Sequence, residues 1–551
     1  MSQKPSVGAD SAARAPWGVR RLAAWAAALE GWRGHLATAG AGALATLAHA
    51  PFHLVPAFLI GIAVLVWRLD GAATRPAKRR AAFAAGWWFG AGHLVSGLYW
   101  VSSAFLVDSS TYGPLWGVPA ALALGGGLAL FWGGACVLAI GFWTPDWRRA
   151  ATLALALALS EYLRGHLFGG LPWNLPGYIW PAGGAVSQLA SVAGIYGLTA
   201  LTLLLAALPA TIADAGANLG RRLLPALSGA LALGLVWGFG AQRLAAAPDE
   251  VGDNPIVRVA DAGVSQRDKW QRRPDQEWRM LARYEAVSGA ADESDAQILI
   301  WPEGAIPTVN AFLLENDEML AALGAFLGDR ALVLGFSRRA QDGAGAVHYF
   351  NSAGIIDGVS GRTRLGQIYD KNRLVPFGEF IPLWGLFSNL NIAPLQQIGA
   401  GFSPGGPPVR LIMPEGPPAV ILICYEAIFP GLTPRGGDRP GWIINVTNDA
   451  WFGAGTGPWQ HYNQARYRAI EEGLPLARAA SGGVSAIVDA YGRRVAETGL
   501  DGGAAEAQLP PAISAPLYAQ LGYLLTPLVF FGILALRLWP SRGVRVRNDD
   551  E

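Results

Sequence analysis

Apolar residues dominate the first 245 positions in long runs broken by short polar joints, and one more such run lies near the C-terminal end. A hydrocarbon core of about 30 Å is crossed by roughly 20 apolar residues as helix. The pattern therefore predicts eight spans, at about 34–50, 52–67, 81–105, 114–140, 150–163, 192–213, 223–244 and 516–536, of which the first, second and fifth are short or interrupted. From about 250 to 510 the periodicity changes. PIVRVADAG, AQILIWPEG, ALVLGFSRR, YFNSAGIID, AVILICYEA, WIINVTNDA and VSAIVDAYG are short, β-rich and bounded by turn residues, and read as strands. PDQEWRMLARYEAVSGA and PWQHYNQARYRAIEEGLPLARAA between them read as helices. Strands alternating with helices predict a layered α/β domain with buried sheets.

The expected organisation is a cytoplasmic N-terminal segment (1–33), a seven-span α-helical membrane bundle (34–245), a water-exposed domain (246–514), a final span (515–537) and a cytoplasmic tail (538–551). Cationic flanks are retained in the cytoplasm, and the Lys and Arg residues alternate accordingly. Arg20, Arg21 and Arg33 precede span one; Arg75, Lys78, Arg79 and Arg80 follow span two; Arg148 and Arg149 follow span four; Arg221 and Arg222 follow span six; Arg537, Arg542, Arg545 and Arg547 follow span eight. The joints HAPFH and LVDSSTYG carry none, and 164–191 carries only Arg164. Both termini are thus expected in the cytoplasm and the 246–514 domain outside it. No short apolar core leads to a small-residue cleavage site, so the first span is expected to direct insertion.

Composition agrees: 52% of the 551 residues are hydrophobic and 15% charged, against about a quarter charged in soluble domains. A net charge of +2 excludes an argument for nucleic acid or another polyanion. The two cysteines match no disulfide scaffold or zinc spacing. Cys136 and His93 lie among apolar residues and are expected to pack. Glu161 and Arg164, spaced i,i+3 at the end of span five, are expected to satisfy each other and snorkel at the interface.

Glu303, Lys371 and Cys424 stand at or just beyond strand ends, where a sheet can aim separate segments into one cleft. Singly, each fits a solvated turn, a surface lysine and a packed cysteine. Together they fit acyl transfer. A thiol must lose its proton to attack a carbonyl, a desolvated carboxylate can take it, and a cation with backbone N–H groups can hold the oxyanion.

WPEGAIP, YDKNRLVPFGEFIP and ICYEAIFP resemble the Glu, Lys and Cys motifs of the carbon-nitrogen hydrolase (nitrilase) superfamily. LVPFGE and the flanking spans resemble its membrane branch, the apolipoprotein N-acyltransferases. The resemblance covers nearly the whole chain and implies a nitrilase-like αββα sandwich on the periplasmic side of a bacterial inner membrane. It implies Glu303 as general base, Lys371 as oxyanion stabiliser and Cys424 as nucleophile. Acyl from a phospholipid, phosphatidylethanolamine being the expected donor, would load Cys424 as a thioester and then pass to the α-amine of an S-diacylglyceryl cysteine on an apolipoprotein. A monomer needing no metal or organic cofactor is expected.

Glu379, Tyr425 and Glu426 match supporting positions of the family, Glu426 equally fitting a structural hydrogen-bonding role. Trp270 matches a tryptophan near the substrate entrance, or packs. VADAGVSQ departs from the family's VQxN-like wording, so no Asn-dependent contact is assigned there. LWGLFSNLNIAPLQQIGAGF is apolar for an exposed loop; either it covers the domain, or Trp384, Leu386 and Phe387 help admit an acyl chain. Three rivals stay open: a Cys–His enzyme using His348 or His461, a membrane-tethered amidase or nitrilase, and a non-catalytic transporter or receptor.

Overall fold

The computed structural model describes residues 18–107, 114–214, 218–248, 252–269, 275–306, 316–343, 345–359, 362–381 and 401–538. Its first half is helical: α1 Val19–Ala28, α2 Gly31–Thr46, α3 Val55–Ala73, α4 Lys78–Gly97, α5 Gly117–Gly141, α6 Arg148–Arg164, α7 Ala190–Ala207 and α8 Leu219–Ala245, with a short helix Val101–Val107 between α4 and α5. Small residues set the packing, as expected where lipid competes with side chains for apolar contact. A Cβ on Gly86 of α4 would lie 2.5 Å from the Trp132 carbonyl oxygen and 2.7 Å from Cys136 Sγ of α5. Cys136 is fully buried in that crossing. On α8, Leu224, Leu227, Leu231, Leu235 and Trp237 face outward, a surface suited to acyl chains rather than water.

Among the described residues four helical runs are long and apolar enough to cross a membrane: Val55–Ala73, Gly117–Gly141, Val186–Ala213 and Leu219–Ala245. The pair Leu517–Leu524 and Thr526–Leu538, bent by 66°, adds a fifth if taken as one span. The expected eight are thus not all met by single long helices. With 16 and 17 residues, α2 and α6 extend only about 24–26 Å at ~1.5 Å per residue. The expected span at 81–105 ends as a helix at Gly97. Helix α1, in the expected cytoplasmic N-terminal segment, packs on α3, where Arg68 Nη1 donates to the Ala26 carbonyl at 2.8 Å.

Among the described residues the second half holds eleven strands: β1 Ile256–Asp261, β2 Ile298–Ile300, β3 Ala331–Gln341, β4 Val347–Val359, β5 Arg362–Asp370, β6 Ala419–Ile423, β7 Trp442–Asn448, β8 Leu476–Ser481, β9 Ala486–Val488, β10 Arg494–Glu497 and β11 Gly503–Gln508. They form a six-stranded sheet, β11-β1-β2-β3-β4-β5, and a five-stranded sheet, β10-β9-β8-β7-β6. Alternation along the strands explains the stacking. Val257, Val259, Ile298, Ile300 and Val333 of the first sheet meet Ile421, Ile423, Ile444, Val446 and Ala479 of the second. The opposite face of the first sheet, with Leu299, Leu332 and Leu334, packs on α9 Gln276–Ser288 and α10 Asp317–Leu327. Val420, Leu422, Ile443 and Leu476 of the second sheet pack on α11 Gly457–Glu472. This is the expected αββα sandwich.

The helix expected over 458–480 stops earlier. Gly473 takes the left-handed conformation after Glu472, and the following LARAAS is buried strand β8, parallel to β7.

Candidate active site

Strands β1–β2–β3 and β6–β7–β8 are parallel within their sheets, so several carboxyl ends open toward one cleft, the usual position of a site on such sheets. Glu303 follows β2, Cys424 follows β6, Asn448 ends β7 and Lys371 follows β5.

Cys424 leaves its strand in the left-handed region, φ 48°, a conformation costing a non-glycine residue about 1–3 kcal/mol unless its surroundings impose it. Glu426, fully buried, is one of the groups that hold it. Its Oε2 accepts from the Ile423 N–H at 2.8 Å. Its Oε1 accepts from the Tyr369 hydroxyl at 2.7 Å and from the N–H groups of Asn372 and Arg373 at 2.8 and 3.0 Å. One carboxylate therefore ties the nucleophile's turn to the loop that carries Lys371.

Lys371 Nζ donates to Glu379 Oε1 at 3.0 Å and lies 3.7 Å from Glu303 Oε1. Asn351 Nδ2 bridges the two carboxylates, at 2.5 Å from Glu303 and 2.7 Å from Glu379. The Asn448 N–H donates to Glu303 Oε2 at 2.9 Å, and the Val375 N–H to Glu379 Oε2 at 2.8 Å. Burial alone would lower the Lys371 pKa, but Glu379, Glu303 and Cys424 outweigh it and hold the ammonium charged.

Burial raises the Cys424 pKa and the Glu303 charge adds to the rise, with Lys371 opposing. The resting group is a thiol, not a thiolate. Below its pKa the thiolate fraction grows about tenfold per pH unit, so alkylation of Cys424 by iodoacetamide should accelerate about tenfold per unit from about pH 6 to about pH 9. Peptide mapping of the alkylated site checks this, and a rate already level below about pH 8 would mean a resting thiolate.

His461 stands behind the nucleophile rather than serving as its evident base. Its Nε2 lies 3.2 Å from the Cys424 carbonyl oxygen and its Nδ1 2.8 Å from Asp449 Oδ1. Burial alone would raise the Asp449 pKa, but Arg478 and His461 hold it below the usual carboxylate range. His348 sits apart, bonded to Asp342 and Ser403. Lys269, also buried, donates to Ser481 Oγ at 2.8 Å. Burial lowers its pKa to about 8, with Asp261 and Glu303 pulling the other way.

Of the residues singled out in the sequence, Glu303, Lys371, Cys424, Glu379 and Glu426 meet in this cluster. Tyr425 turns away, its hydroxyl donating to the Gly170 carbonyl and its ring packing edge-on against Phe429 at 4.9 Å. Trp270, Trp384, Leu386 and Phe387 lie outside the described residues. Asn351, Asn448 and Lys269 were not anticipated. The available signal was a polar residue inside a strand otherwise built for burial, as in YFNSAGIID and WIINVTNDA.

Residues 41–208 match the family model of the apolipoprotein N-acyltransferase N-terminal domain, and residues 258–514 match that of carbon-nitrogen hydrolase. The apolipoprotein N-acyltransferase of Rhodopseudomonas palustris is 40% identical over 90% of this chain and 92% of its own length. That of Bradyrhizobium diazoefficiens is 39% identical over 94% and 96%. Among solved structures, a nitrilase-superfamily amidase from Nesterenkonia AN1 aligns at 20% identity over 47% of this chain and 93% of its own, with a TM-score of 0.32. Since both halves match in order and the relatives align almost end to end, the chain belongs to the apolipoprotein N-acyltransferase family.

Proposed function

We propose that the chain transfers an acyl group from a phospholipid to the N-terminal S-diacylglyceryl cysteine of apolipoproteins, by a ping-pong reaction through a thioester on Cys424. In the first half, Glu303 takes the thiol proton as sulfur attacks the ester carbonyl. Lys371 and the N–H that follows Cys424 hold the oxyanion. Collapse breaks the ester C–O bond, and Glu303 passes the proton to the leaving oxygen, so the lysophospholipid departs as an alcohol and Glu303 is again a carboxylate. In the second half the lipoprotein α-amine attacks the thioester, Glu303 takes a proton from it, and the sulfur departs and regains that proton. The observation that carries the reading is the cluster of partly exposed thiol and carboxylate with a buried ammonium, seated on an apolar helical bundle. A hydrolase of water-soluble amides gains nothing from that base, whereas joining two lipid-anchored substrates requires a cleft at the bilayer surface.

We further infer eight crossings, both termini in the cytoplasm, and the sandwich on the periplasmic side of the inner membrane, from the alternation of Lys and Arg joints. Phosphatidylethanolamine is the proposed donor and a monomer the proposed working unit, one chain supplying every group named above.

The test uses the full-length enzyme in liposomes containing acyl-labelled phosphatidylethanolamine. The label should map to Cys424 as a hydroxylamine-sensitive adduct and should discharge onto a diacylglyceryl lipopeptide amine. Release chiefly as free fatty acid, with or without the lipopeptide, would make the protein a membrane-tethered hydrolase instead.

A further inference from the structure

The Glu161–Arg164 pair does not snorkel. Both side chains are buried, at 1% and 2% exposure, at the C-terminal end of α6. Arg164 spends every nitrogen there. Nε donates to Glu161 Oε1 at 3.2 Å, Nη2 to Glu161 Oε2 and to the Trp173 carbonyl at 3.0 Å, and Nη1 to the Leu171 carbonyl. Trp132 Nε1 of α5 closes the Glu161 side at 2.6 Å. The fork thus fastens the loop after α6 to the helical bundle from beneath. That loop holds Phe168 and Asn174 at positive φ, 57° and 51°, so its shape is imposed rather than intrinsic.

The same loop reaches the nucleophile's turn once directly and once through α11. The Gly170 carbonyl, one residue before Leu171, accepts from the hydroxyl of Tyr425, the residue after Cys424. Trp173 donates through Nε1 to Gln460 at 2.8 Å, and its ring lies 5.5 Å from that of His461, whose Nε2 faces the Cys424 carbonyl. A continuous set of bonds and ring contacts therefore runs from a membrane helix to the carbonyl of the strained cysteine and to the residue that follows it.

We propose that Arg164, locked by Glu161, is a positioning residue for acyl transfer, holding the 165–174 loop so that Tyr425 and His461 keep the Cys424 backbone in its left-handed geometry. Lysine cannot replace it, because one ammonium cannot reach a carboxylate and two loop carbonyls in a planar fork. The inference rests on the transferase reading for the rate it affects, but not for the geometry.

The experiment compares Arg164→Lys, Tyr425→Phe and the double variant of the full-length protein in liposomes, by single-turnover acylation of Cys424 and by its alkylation rate with iodoacetamide. Arg164→Lys should slow acylation about tenfold or more, since small misplacements of a reacting atom cost that much, and should alter alkylation. The double variant should be no slower than Arg164→Lys alone, because both changes cut one line of contacts. Arg149→Lys is the control. It is the other buried arginine of α6, held at the opposite end by Asp70 at 3.1 Å and by Asp214, and it should lower the melting midpoint without slowing acylation. The proposal is overturned if acylation and alkylation by Arg164→Lys stay within about twofold of wild type, if the losses multiply in the double variant, or if Arg149→Lys slows acylation equally. Absence of any acyl adduct in the wild type would instead sink the transferase reading, and alkylation would still decide the positioning role.

Discussion

Glu303→Gln is expected to slow acylation of Cys424 by about 10²–10⁴-fold, the range seen when a positioned acid–base group is removed. The amide keeps the size of the carboxylate but cannot accept the thiol proton. It also meets a donor on each side, the Asn351 amide on Oε1 and the Asn448 N–H on Oε2, so in either orientation its oxygen serves one of them and its NH₂ opposes the other. Burial still keeps Cys424 protonated once the Glu303 charge is gone, so the variant lacks a base while retaining a thiol that hydroxide can ionise. Single-turnover acylation from labelled phospholipid should therefore collapse while alkylation at high pH persists. Acylation within about tenfold of wild type would assign the base to another group, and loss of alkylation as well would mean a collapsed site rather than a missing base.

Why some of this was legible in the sequence and some not follows from what each signal depends on. Cys424 and Glu303 each close a run of buried β-type residues, ILI and ILIW, and a run of that kind must end at a sheet edge wherever the sheet lies. Lys371 follows an edge strand, RTRLGQIYD, whose alternating polar residues hide it; only the motif around it drew attention. Strand β8 escaped because LPLARAA continues a helical pattern up to the left-handed Gly473, and because its buried arginine, Arg478, is neutralised by Asp449, 29 positions away. The i,i+3 spacing of Glu161 and Arg164 encodes the pair but not its burial. What buries it is a loop folding back from 165–174, and that depends on contacts with residues 425 and 460, which no local pattern encodes. Asn351 and His461 fall in the same class. An asparagine in a strand and a histidine in a helix acquire meaning only when segments far apart in sequence converge.

Glu426→Ala is expected to destabilise the sandwich by about 4 kcal/mol, since four donors lose their acceptor together, and the two buried outright, the Tyr369 hydroxyl and the Ile423 N–H, each cost about 1–3 kcal/mol when left dry. The donors are the Tyr369 hydroxyl and the N–H groups of Asn372, Arg373 and Ile423. For a domain of this size that corresponds to a fall of about 10 °C in the melting midpoint of the detergent-solubilised protein. Glu426→Gln should fall between wild type and alanine, because its oxygen can serve one side of the knot while its NH₂ meets a donor on the other. The order wild type, glutamine, alanine separates a structural knot from a catalytic carboxylate. If alanine melts within about 3 °C of wild type yet cannot acylate Cys424, then Glu426 acts in the chemistry, and the contacts of Tyr425 and His461 are what hold Cys424 in its left-handed turn.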